Sequence, residues 1–168
     1  MGLFRRAPRL PDEYRQRLAP TDDVLAAVEL ADRRWAAAGR RALHVLDVDG
    51  ERVQRWPWAQ VDHGSLDPQQ RTLTVHLVDG PELVLELVDQ TSSRPFAGAF
   101  RERVQSSVVC SCDVTAPSGI VYVTVRRGED GDLFTQVVGP GKADLDDPQV
   151  AALVKEAEAR MREVAGMT

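Results

Sequence analysis

Between Val24 and Val88 the chain never runs far without a turn residue. Strand-sized apolar runs stand at VLAAVEL (24–30), RWAAA (34–38), ALHVLD (42–47), RVQRW (52–56), QVDHGSL (60–66), RTLTVHLV (71–78) and ELVLELV (82–88). Ala-Asp, Gly39, Asp49-Gly50, Asp67-Pro68 and Asp79-Gly80-Pro81 separate them. A parallel crossover needs a dozen residues or more, so connections this short favour antiparallel neighbours joined as a meander. In RTLTVHLV, Leu73, Val75 and Leu77 alternate with Thr72, Thr74 and His76, which predicts a strand buried on one face.

A helix is expected next. Ser92 or Ser93 suits its cap and Pro95 its first turn, while Phe96, Phe100, Val104 and Val108 recur every four residues as one apolar stripe. Arg101, Glu102 and Gln105 lie off that stripe. Ahead of the strands, residues 1–22 read as a basic tail and a short helix, started by Pro11-Asp12-Glu13 and ended near Pro20. Beyond residue 109, Val121, Val123 and Val125 alternate with polar neighbours, and GEDGD (128–132) turns the chain into LFTQVVG (133–139). Gly139-Pro140-Gly141 breaks that strand. Asp147 and Pro148 then open a final helix with apolar residues Val150, Leu153, Val154, Ala157, Met161 and Val164. Three segments follow from this reading: 1–22, 23–109 and 110–168.

The chemistry is sparse. Cys110 and Cys112 cannot complete a tetrahedral zinc site, and no histidine lies near them in sequence, so they read as small side chains in or beside a strand. His44, His63 and His76 fall on three different strands, and the neighbours Asp62 and His63 are expected on opposite faces. GEDGD lacks the ligand spacing of a calcium loop. No nucleophile has an evident base, and no glycine-rich loop joins a strand to a helix. The expectation is therefore no metal, no cofactor and no catalytic set. A net charge of -5 over 168 residues argues against a nucleic-acid partner. No apolar run reaches the roughly 20 residues that span a bilayer, and MGLFRRAPRLP lacks a signal-peptide apolar region, so a cytoplasmic protein is expected.

GRRALHVLD (39–47), QRWPWAQVDHG (54–64), RTLTVHLVDGPELVLEL (71–87) and FAGAFRERVQSSV (96–108) together resemble the bacterial pleckstrin-homology-like (PH-like) family, over about residues 24–109. The resemblance implies an α+β, mostly β fold. Its core would be a seven-stranded open barrel of two roughly orthogonal antiparallel sheets capped by a helix, with a small C-terminal β-hairpin and helix outside it. It also implies recognition rather than catalysis. In that pattern Trp56 takes a buried position of the fourth strand. Pro57 cannot donate to a ladder, so the strand must end or bulge there. Trp58, at the corner, stands between core rim and exposed contact.

Two arginine pairs are candidate contacts to a partner or a lipid headgroup: Arg33 and Arg34 after the first hairpin turn, and Arg40 and Arg41 at the start of the third strand. Phosphoinositide binding by eukaryotic relatives uses a long basic first hairpin. Here that turn is short and carries Asp32, and solvated edge charges are the alternative. Leu3, Phe4, Arg5 and Arg6 are candidates for contact with an anionic membrane. Three functions are thus carried forward. The first is a non-catalytic module recognising a protein or peptide through an exposed barrel edge or the C-terminal helix. The second is a membrane-surface protein using the basic tail and arginine pairs, and the third a small-ligand carrier or enzyme using the barrel mouth. The C-terminal region is expected either to pack on the barrel or to form a homodimer contact.

Overall fold

In the computed structural model, residues 9–117, 119–139 and 144–167 are described, so Leu3, Phe4, Arg5, Arg6 and the expected break at Pro140-Gly141 lie outside them. The fold is α+β and mostly strand, and it divides into two units between Gln105 and Ser106.

In the first unit the short connectors close antiparallel pairs within each of two sheets, and the one between the fourth and fifth strands passes from one sheet to the other. Strands β1 (Val24–Glu29), β2 (Trp35–Gly39), β3 (Ala42–Leu46) and β4 (Val53–Pro57) form one sheet in sequence order. Strands β5 (Val61–Asp67), β6 (Thr72–Leu77) and β7 (Leu83–Glu86) form a second. As its chemistry requires, Pro57 ends β4, and a single 3-10 turn over Trp58–Gln60 redirects the chain into β5. The two sheets do not close into a barrel. The ladder stops at Pro57, and at the other side among the described residues one isolated bridge, Leu30 to Leu87, joins the sheets.

Helix α2 (Gln90–Ser107) packs Phe96 and Phe100 into the core that the two sheets share, which includes Leu43, Val45, Val61, Val75 and Leu85. Its cap is Asp89, not a serine: the carboxylate accepts the Ser92 amide at 2.8 Å and the Ser92 hydroxyl at 2.7 Å. Pro95 is therefore the helix's sixth residue, beyond its first turn. Val108 does not extend the stripe, because it already belongs to the next strand.

A second departure is the alternation that β2 and β3 lack. Every residue of WAAAG and ALHVL is buried. The reason is helix α1 (Asp12–Leu18), which sets Tyr14 and Leu18 against Trp35, Ala37 and Leu46, while Ala36, Ala38, Leu43 and Val45 face the main core. A sheet covered on both faces reads as a continuous apolar run. The docking is anchored by the Tyr14 hydroxyl, which donates to the Val48 carbonyl at 2.5 Å, and by Arg17, which donates to the Gly50 carbonyl. Gly50, at φ +65°, has no room for a Cβ beneath the Tyr14 ring.

The second unit is a three-stranded sheet rather than a hairpin. Strands β8 (Val108–Ala116), β9 (Gly119–Arg127) and β10 (Leu133–Val138) pair in the order β10-β9-β8. Helix α3 (Pro148–Val164) covers it, with Val150, Val154, Ala157 and Met161 against Val121, Val123 and Val125. Asp147 caps α3 by accepting the Gln149 amide at 2.7 Å. Leu153 and Val164 fall off the stripe and are exposed. Cys110 and Cys112 alternate on β8 as half-buried free thiols packed against this core.

Candidate functional site

The two arginine pairs do not make one patch. Arg33 and Arg34 sit in the β1–β2 turn and Arg40 and Arg41 in the β2–β3 turn, at opposite ends of β2. Arg40 follows Arg34 by six steps of extended chain, about 20 Å at 3.3 Å per residue. Local carboxylates also hold them: Arg34 Nε lies 2.7 Å from Asp32, and Arg40 Nε 3.8 Å from Asp23.

Beside the second turn lies a buried polar node. Asp22 accepts the amides of Arg41 and Ala42 at 3.0 Å each. Its third contact is His44, whose Nε2 is 2.9 Å from Asp22 Oδ2, with both side chains fully buried. Because backbone donors make Asp22 the acceptor, His44 Nε2 carries the hydrogen. A Cβ on Gly39 would overlap the Asp22 carboxylate. This node ties the segment before β1 to the β2–β3 turn.

Trp58 is part of that inner structure, which places it on the core side of the two positions left open to it, core rim and exposed contact. It is 4% exposed, its indole N–H donates to the Gly39 carbonyl at 3.0 Å, and it meets Phe100 edge-on at 5.7 Å. Trp56 is partly buried against the same core. The 3-10 turn after Pro57 swings the second tryptophan inward, so the order of burial is the reverse of that implied by the PH-like resemblance.

Among the described residues, an open feature of this unit is a groove between β5 and α2, with a volume of about 520 Å³. Its floor is apolar: Leu66, Leu73, Phe100 and Val104. A smaller recess of about 140 Å³ shares Leu66 and Ala97 with it and continues toward Pro68 and Ser93. Gly64 shapes the groove, because a Cβ there would overlap the Phe100 ring; its absence lets the ring lie against the β5 backbone. On the opposite wall a Cβ on Gly98 would meet nothing within 4 Å. Arg101 lines the main groove and Arg94 the recess.

At one end of β5 the chain bulges: Val61 faces Leu77 and His63 faces His76, leaving Asp62 as the extra residue. The bulge brings Asp62 and His63 to one side, against the strict alternation expected, and His63 Nδ1 lies 2.8 Å from Asp62 Oδ2. His63 stacks on His76 at 4.1 Å and 13°, and His76 Nδ1 is 2.9 Å from Glu82. Near-parallel rings hold their nitrogen lone pairs in separate planes, so one ion cannot lie in both. Among the described residues no group of three or more metal-ligating side chains forms, and no helix is long and apolar enough to cross a membrane.

Sequence reasoning missed this groove, although Gly64 within a strand and Gly98 within a helix were its visible marks. Both are residues that weaken their elements unless a close approach or an opening is needed. Compared with protein-family models, curated proteins and solved structures, the chain matches none.

Proposed function

We propose that this chain is a non-catalytic, cytoplasmic recognition module of PH-like type, whose β5–α2 groove takes an extended segment of a protein partner as an added strand. The observation that carries the reading is an open strand edge running beside an apolar groove. β5 stands at the edge of its sheet. Alternate residues of an edge strand direct N–H and C=O outward, ready to pair with another chain. From His63 to Leu66 this edge is exposed and carries no carboxylate, lysine, arginine or proline to blunt it. Strand addition of this kind draws affinity from main-chain hydrogen bonds and specificity from pockets for alternate side chains. The groove floor offers such pockets.

Gly98→Trp tests the reading. The new side chain enters open space at the groove wall, so the fold is kept and the groove is filled. Peptides selected on the full chain from a displayed library of random 12-mers should lose at least tenfold in affinity for the variant, with its thermal melting curve little changed. Unaltered binding of every selected peptide would overturn the proposal.

A further inference from the structure

We infer that the groove selects an acidic segment, in which an apolar side chain enters the floor and flanking aspartates or glutamates reach Arg94 and Arg101. This rests on the strand-addition reading above. The charge of the groove is opposite to that of the molecule. Three arginines, Arg71, Arg94 and Arg101, line it against one carboxylate, Asp89, in a chain of net charge -5. Both Asp89 oxygens already accept hydrogen bonds from Ser92. Arg71 is held at the far end, where its Nη1 donates to the Val88 carbonyl at 3.1 Å. The guanidinium groups of Arg94 and Arg101 form no ion pair or hydrogen bond among the described residues, unlike Arg34 and Arg40 with their carboxylates.

The spacing fits the same occupant. Seven residues apart on α2, Arg94 and Arg101 project from one side of the helix about 10 Å apart at 1.5 Å per residue. An added strand crosses that distance in about three residues. A guanidinium presents a planar fork of donors that matches a carboxylate, and such pairing steers encounter as well as fixing register. A free carboxylate or a lipid headgroup could satisfy the arginines, but neither would use the strand edge and apolar floor between them. An acidic peptide uses all three.

The displayed 12-mer library, panned on the full chain at physiological salt, supplies the test. Enriched sequences should hold two or more acidic residues around an apolar one. Changing either acidic residue to its amide in a synthetic copy should weaken binding about tenfold, as should Arg94→Ala or Arg101→Ala. The doubly reversed variant R94E/R101E should enrich lysine and arginine instead. Enriched peptides without acidic residues, blocked by Gly98→Trp yet indifferent to Arg94→Ala and Arg101→Ala, would overturn the charge selection and leave strand addition standing. No peptide blocked by Gly98→Trp would overturn both. So would binding to phosphatidylserine vesicles in place of peptide, or a concentration-dependent dimer that fills the groove.

Discussion

Asp22→Ala is expected to lower the unfolding free energy of the first unit by about 3–5 kcal/mol, the cost typical of removing one partner from a buried hydrogen-bonded pair. The carboxylate accepts the Arg41 and Ala42 amides and the His44 ring N–H, and both side chains are fully buried. Alanine leaves the buried Ala42 amide and His44 ring N–H with no acceptor, and each orphaned buried donor costs about 1–3 kcal/mol. Water cannot take the vacated place without room, and Ala42 and His44 are 0% exposed. Domains of this size are stable by about 5–15 kcal/mol, so the variant should be near its unfolding midpoint in dilute urea. Asp22→Asn keeps one acceptor oxygen and should lose less. A urea titration showing a loss under about 1 kcal/mol for Asp22→Ala would mean the node is not the clamp described.

The two tryptophans of RVQRWPWAQV should respond unequally. Trp58→Ala should cost about 3–5 kcal/mol, the usual range for deleting a large buried aromatic. It removes the edge-on contact with Phe100 and leaves the Gly39 carbonyl without its indole donor. Because Phe100 also floors the groove, this variant should weaken peptide binding as well as stability. Trp56→Ala should cost about 1–2 kcal/mol, in proportion to its partial burial, and leave binding intact. Equal losses in parallel urea titrations would contradict the placement of Trp58 as the inner residue.

The strands of the first unit were legible because turn chemistry is local. Asp49-Gly50, Asp67-Pro68 and Asp79-Gly80-Pro81 each mark a connection that the structure makes, and Leu73 and Val75 face the core as their alternation requires. What escaped depended on contacts distant in sequence. WAAAG and ALHVL gave no face, since α1 covers the side that a lone sheet would leave wet. The cap of α2 lies three or four residues before the expected Ser92 or Ser93 because Ser92 serves as partner to Asp89 rather than as cap. Strand β8 is legible only as two cysteines in or beside a strand, because its inward positions include Cys110 and Cys112, which carry little hydrophobic signal beside the valines of β9. The groove was invisible for a related reason. Its floor joins Leu66 and Leu73 to Phe100 and Val104 across two elements, and its arginines read on the sequence as ordinary solvated helix charges.

The central claim is that β5 accepts an added strand. Amide hydrogen exchange, read with and without the tightest selected peptide, tests it most directly. Outward-facing amides between His63 and Leu66 should gain protection on binding, with smaller changes along the Arg94–Arg101 face of α2. Protection that appears instead on α3, or at the turns carrying Arg33 and Arg40, with β5 unchanged, would contradict the claim.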